Sequence, residues 1–194
     1  YLAHRTEGDI QRRATRGAVG AAALMVLAFV GAGLWLKFGG IEGFVITSAI
    51  DPGALPDPLA KTVARSADGW WINYGKQPLL WALPALGIAG ALAAAAFVLA
   101  RRTLSAFVAS ALAIVGVIGT AGAAMFPFVM PSSSQPNASL TAWDSVSSHL
   151  TLGLMFWATL IFMPLIVFYT SWAYRVMRGK VTLAHIRANE HTAY

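Results

Sequence analysis

Cysteine is absent from this 194-residue chain, which removes disulfides, iron–sulfur clusters and thiolate metal sites from it. Charge is scarce too. Asp, Glu, Lys and Arg make up 11% of the residues and apolar types 57%, against about 25% charged in a soluble domain. That balance belongs to an integral membrane protein. No glycine-rich phosphate loop, Ser/His/Asp set or metal-spaced pair of acids occurs, so the chain shows no active site of its own. The net charge of +6 would suit nucleic acid, but its distribution points to membrane anchoring and no nucleic-acid partner is expected. The chain opens on Tyr1 rather than Met and lacks a signal-peptide pattern. This start is read as not being the natural one of the gene product.

What is present is a set of long uncharged runs. A polar N-terminal segment, residues 1–16, holds Arg5, Arg12, Arg13 and Arg16. A first span covers 17–37, long enough at 1.5 Å per residue to cross about 30 Å of hydrocarbon, with Lys37 snorkelling at its end. Residues 38–76 form a long polar loop, expected to be ordered. Within it Phe44 to Thr47 suits a short strand, and Asp57-Pro58 suits a helix start running to about Ala67. Trp70, Trp71, Tyr74 and Trp81 form an aromatic girdle at the following membrane boundary. An extramembrane cap packed on its own bundle fits this loop better than a ligand-binding loop. The second span covers 77–100 and is rich in small residues that let helices approach in lipid. Pro78 suits its first turn, and Pro84 is expected to kink it. The third span covers 104–128, with Gly116, Gly119 and Gly122 on a tightly packed face. The fourth covers 150–174 and contains Pro164. A basic tail, residues 175–194, follows, with a short helix expected over Thr182 to Asn189.

Between the third and fourth spans lies the stretch that orients the chain, Met125 to Leu152, which has no Lys or Arg. Pro127, Pro131 and Pro136 stop helical hydrogen bonding, and Ser132 to Gln135 is too polar for lipid. Phe126, Phe128 and Trp143 bracket it with rings. Thr141-Ala142-Trp143-Asp144 fits a capping box that restarts a helix, so residues 129–148 read as an ordered turn with a capped helix start. Ten of the 14 basic residues lie in the N-terminal segment, the Arg101-Arg102 turn and the tail. The positive-inside rule then puts both termini in the cytoplasm, and the long loop and the second turn on the outer face. The fold expected is an all-α integral membrane protein, four transmembrane helices in a bundle, because lipid forces backbone groups to be satisfied within helices.

Apart from Lys37 at the end of the first, no Asp, Glu, Lys, Arg or His falls inside these spans, which argues against a pump or ion path on this chain alone. Ser110, Thr120, Thr159, Thr170 and Ser171 suit bonding back to their own helices. Of His4, His149, His185 and His191 only His149 lies near the membrane on the outer side, so a haem held by two histidines within the bundle is excluded. Met125, Met130, Met155 and Met163 lack a His or Cys companion and fit packing. Asp144, the lone charge of the second outer connection, reads as a capping carboxylate favoured by the helix dipole; proton release or an inter-subunit pair is the functional alternative. Asn137-Ala138-Ser139 matches the glycosylation acceptor pattern, too short a match to carry weight. His149 reads as an interfacial histidine before a lone haem ligand. Pro127, Pro131, Asn137, Trp143, Asp144, His149, Trp70, Trp71 and Trp81 are the structural or interface candidates.

The segments FPFVMPSS and NASLTAWDSVSSHLTL resemble the signature near the end of subunit II of cytochrome bd quinol oxidases, a family that includes the cyanide-insensitive bacterial oxidases. The opening YLAHRTEGDIQRRA resembles it too, as do Gly39 to Phe44 with Ala49-Ile50-Asp51, Trp70 to Tyr74, Leu80 to Gly87, Tyr169 to Tyr174 and His191 to Tyr194, in the same order. The resemblance covers essentially the whole chain. It implies a bacterial inner-membrane complex that oxidises quinol at the outer face and reduces oxygen to water. It implies haem b and haem d, and the quinol-oxidising loop, in a partner subunit I. It implies a subunit II that binds no haem, supports assembly, and has room for a structural quinone and part of a proton route. Because that family's subunit II is roughly twice as long, the chain corresponds to its C-terminal half. The N-terminal half, subunit I and small accessory subunits are then the partners, besides lipid and quinone. Half of an inverted-repeat transporter would instead need a broken helix at mid-membrane, where only Pro84 and Pro164 offer a kink. A free-standing scaffold would dock through the aromatic loop.

Overall fold

The structure, a computed structural model, describes residues 1–49 and 57–176. Its four longest helical runs, Gly8–Phe38, Pro78–Leu99, Thr103–Met125 and His149–Val176, are each long and apolar enough to cross a membrane. A short α1 (Leu2–Arg5) precedes α2 (Gly8–Phe38). The helix of the first span therefore starts well before Gly17, its first turns carrying an exposed Asp9–Arg13 pair at 3.2 Å. After α2 come β1 (Gly43–Ile46) and β2 (Val63–Ser66), an antiparallel pair with Phe44 opposite Arg65. Then follow α3 (Ile72–Lys76), a 3-10 turn over Pro78–Trp81, α4 (Ala82–Leu99) and α5 (Thr103–Met125). A second antiparallel pair, β3 (Phe128–Met130) with β4 (Leu140–Thr141), leads to α6 (His149–Val176). The helix expected in the tail, and Ile50, Asp51, Pro52 and Pro56 of the loop, lie outside the described residues.

The tightest packing joins α4 to α5, and it rests on small side chains. Gly87, Gly90 and Ala91 of α4 are buried against Ala106, Ala109, Ala113 and Gly116 of α5. A Cβ added at Gly116 would sit 2.3 Å from the Gly87 nitrogen, and one at Gly90 would sit 2.8 Å from the Ala113 nitrogen. In lipid, helix association draws on close van der Waals contact rather than on exclusion of water, and glycine permits that contact here. Gly119 meets only the Leu83 side chain, and Gly122 meets nothing within 4 Å. The packed face therefore covers the first of these three glycines in earnest and the last not at all. The two helices are joined by a Schellman turn. The Arg101 N–H donates to the Val98 carbonyl and the Arg102 N–H to the Phe97 carbonyl, at 3.1 and 2.8 Å, with Arg101 left-handed at φ 59°. This is the position where glycine is favoured, and a side chain there costs about 1 kcal/mol.

Several sequence expectations change. Asp57-Pro58 opens no helix. The Asp57 carboxylate accepts the Leu59 N–H at 2.9 Å, a local turn; the Thr62 carbonyl then accepts the Thr47 N–H at 2.9 Å, and the β-branched Val63 opens β2 opposite Ile46. The third span stops at Met125 rather than at Phe128, because Pro127 cannot donate and Phe128 joins β3. Pro84 falls in the first turn of α4, where its missing N–H has no helical partner to lose, so it breaks no bond; Pro164 stays inside α6. The capping motif moves as well. Thr141 is held in the β3–β4 ladder, and after one turn through Ser145 the poor helix formers Val146, Ser147 and Ser148 intervene. Ser148 caps α6 instead, its hydroxyl accepting the Thr151 N–H at 3.3 Å.

Among the described residues α1, α2, α4 and α5 pack together, whereas no residue of α6 is buried. Leu150, Leu154, Phe156, Ile161, Leu165 and Phe168 are all exposed on a helix apolar on every side. Lipid tolerates this, and so do further helices.

Gly116→Ala is expected to force α4 and α5 apart and lower stability in detergent by about 1–3 kcal/mol, the cost typical of overpacking, whereas Gly122→Ala should change it little. Thermal unfolding of the two variants checks the pair.

Candidate functional site

The two connections at the end of the bundle away from Arg101 close into one cap. Lys61 lies in the long loop just before β2, and Asp144 lies just after β4. Their side chains are 7% and 10% exposed and stand 2.5 Å apart, Nζ to Oδ2. The Lys61 ammonium also donates to the Pro58 carbonyl at 2.7 Å. The other Asp144 oxygen accepts the Thr141 N–H at 2.7 Å. Burial alone would push the Asp144 pKa up, but the hydrogen bond and charge of Lys61 and the donors of Thr141 outweigh it and hold the carboxyl below its ordinary value. A carboxylate so held is ionised and saturated at neutral pH, which does not suit it to collecting a proton. The reciprocal bond expected of a capping box is present, but it closes a turn. The decisive partner is Lys61, within the same chain.

Around this pair the loops interlock through their backbones. The Val63 N–H, at the start of β2, donates to Asn137 Oδ1 at 2.8 Å, so Asn137 completes the strand end. The Arg65 guanidinium donates to the Ser133 carbonyl. Ser139 and Thr141 are almost wholly buried, and the Ser139 hydroxyl accepts the Ser132 N–H at 2.9 Å. Phe44 of β1 packs on buried Phe128 of β3 with ring centroids 6.0 Å apart. Below the strands, Asn73 Nδ2 donates to the carbonyls of Ala123 and Phe126, which the end of α5 leaves without helical partners. The Tyr74 hydroxyl donates to the Thr120 carbonyl at 2.9 Å.

Trp70, Trp71 and Trp81 divide between two clusters. Trp71 stacks on Trp81 at 6.0 Å, with Tyr74 5.1 Å from Trp81. Trp70 turns the other way, edge-on to Phe44 at 6.1 Å. Lys37 does not simply snorkel; it pairs with Asp68 at 2.9 Å and lies 5.9 Å from the Trp71 ring centre. Trp143 packs edge-on to Phe126 at 5.7 Å. Pro127 follows a cis peptide bond from Phe126, and Pro131 is half-buried beside Ser132. His149 opens α6 and is exposed, away from the buried pair. Asp144, Asn137 and the Trp70–Phe44–Phe128 group thus share one cap, which His149 does not join. Nothing local in the sequence singles out Lys61, which is one of the four basic residues outside the N-terminal segment, the Arg101-Arg102 turn and the tail. The available signal was Asp144, an acid with no cation in its own connection.

Among the described residues no cluster of His, Asp or Glu could hold a metal ion, and the cap assembles no nucleophile with a base. Its chemistry is that of a fastener. The model of the family described as cytochrome bd terminal oxidase subunit II matches residues 1–177. Cytochrome bd-I ubiquinol oxidase subunit 2 of Escherichia coli (strain K12) is 43% identical over 194 residues, all of this chain and 51% of that protein. The probable cytochrome oxidase subunit 2 of Haemophilus influenzae is 43% identical over 189 residues, 97% of this chain and 49% of that protein. The chain belongs to the cytochrome bd terminal oxidase subunit II family. It spans about half the length of the curated relatives it matches. Its four long apolar helices agree with a multi-pass membrane protein.

Because the folded pKa of Asp144 is depressed, the stability it lends is present above the ordinary carboxylate pKa of about 4 and is lost as pH falls through the lower folded value. Amide exchange at Val63 and Thr141 should therefore stay slow, relative to the intrinsic rate, from neutral pH to about 5, and become fast only in stronger acid. In Asp144→Asn, protection should already be low at neutral pH.

Proposed function

We propose that this chain is the haem-free C-terminal half of subunit II of a cytochrome bd-type oxidase, which oxidises quinol and reduces oxygen to water in the bacterial inner membrane. The family match carries the assignment. The apolar α6 supports the role within it, since a helix greasy on every face and with no residue buried among the described residues is built to meet other helices. The N-terminal half of subunit II and the haem-bearing subunit I are the proposed neighbours, with small accessory subunits and a structural quinone included in the same proposal. Haem b and haem d belong on subunit I. This chain contributes assembly and stability.

In this reading the arginine-rich end, where α1 and the Arg101-Arg102 turn meet, faces the cytoplasm, and the clasped cap faces outward; the charge distribution supports it. His4 Nδ1 lies 3.0 Å from the Thr103 hydroxyl at that end, so the N-terminal segment sits beside the turn. Nothing favours the transporter alternative, because Pro84 sits in the first turn of α4 and Pro164 lies in an unbroken α6, so neither breaks a helix at mid-span.

An affinity tag on the polypeptide that carries this chain, followed by purification in mild detergent, tests the proposal. The eluate should show reduced-minus-oxidised bands of b- and d-type haem and a larger second polypeptide. A colourless eluate with the tagged chain intact and alone would overturn it.

A further inference from the structure

At the arginine end, two cavities adjoin. One, of about 380 Å³, is lined by Gln11, Arg12, Thr15 and Arg16 of α2 and by Arg101 of the turn. The other, of about 300 Å³, is an apolar groove running into the membrane between α2, α4 and α5, walled by Ala22, Met25, Ala94, Ala106 and Ile114. Val98 and Thr103 line both, so the polar cavity opens onto the groove. Among the described residues no acid lines either cavity. Arg13, on the same helix, is paired with Asp9, whereas Arg12, Arg16 and Arg101 form no ion pair among the described residues. The 23-residue α5 begins at Thr103 on the shared rim, adding the positive end of its dipole.

We propose that these cavities together hold one anionic phospholipid, its phosphodiester between Arg12, Arg16 and Arg101 and one acyl chain in the alanine-lined groove. Three guanidinium groups with no ion pair among the described residues, gathered at one end of the bundle, call for negative charge, and arginine's planar fork suits phosphate oxygens. A groove of small side chains leading from that site into the hydrocarbon region calls for an alkyl chain. A phospholipid supplies both in one molecule, bridging α2 to the α4–α5 hairpin at an end where the described structure has few other ties.

The test is native mass spectrometry of the protein purified from its membrane with any copurifying chains, delipidated and then exposed to phosphatidylglycerol or phosphatidylcholine. One phosphatidylglycerol should be retained in preference to phosphatidylcholine. Removing one cavity arginine, in Arg12→Gln or Arg101→Gln, should weaken retention about fivefold, the effect typical of one basic residue at a membrane surface. Arg13→Gln, which removes the same charge outside the cavity, should leave it unchanged. Arg12→Lys, which keeps the charge and so the membrane orientation, should weaken retention less than Arg12→Gln. Inorganic phosphate or glycerophosphoglycerol should not displace the lipid, because neither fills the groove. Equal retention of the two lipids, equal loss in Arg13→Gln and Arg12→Gln, or displacement by the soluble headgroup would each overturn the proposal.

Discussion

A buried ammonium and a buried carboxylate, Lys61 and Asp144, hold together two connections far apart in the chain. Neither charge would be tolerable there alone, since an unpaired buried ion keeps its full desolvation cost. With both present, each completes the other and the surrounding backbone is drawn in: the Pro58 carbonyl to Lys61, the Thr141 N–H to Asp144, and the Val63 N–H to Asn137. The strand pairs β1–β2 and β3–β4 are short and would be marginal alone. The ion pair and the Phe44–Phe128 contact make one cap of them.

The spans obey a different rule. In hydrocarbon, burying apolar surface gains little, so α4 and α5 hold each other by backbone-close contact at Gly87, Gly90 and Gly116. Where the sequence lacks such a face, as along α6, the helix stands uncovered. The described structure is therefore well tied at the cap and along one hairpin, and open along α6. An apolar helix left open in this way suits packing against further helices, as in the function proposed above.

The four apolar helices were legible from the sequence because a charge-free run of membrane length is rare outside a bilayer. The short strand at Phe44 and the small-residue packing of the second span were legible for local reasons as well. What escaped was long-range. Asp57-Pro58 and Thr141 to Asp144 both carry helix-start signals, yet both ended as turns, because neighbouring residues were committed to strands that the local pattern does not reveal. Lys61 looked like one loop cation among several, and only the fold brings it to Asp144. Trp70 was grouped with Trp71 by adjacency, although successive residues in a turn point apart, and Phe44 captured its ring.

A double-mutant cycle on the buried pair reaches the centre of this account. Lys61→Met and Asp144→Leu would each leave one buried charge unpaired and should each cost about 3–5 kcal/mol. The double variant, with no charge left to strand, should cost less than the sum by about 1–3 kcal/mol. Unfolding free energies of the four proteins, measured in one detergent at neutral pH, give the coupling directly. Costs that simply add would mean that Lys61 and Asp144 act independently, and that the cap is held by something other than their contact.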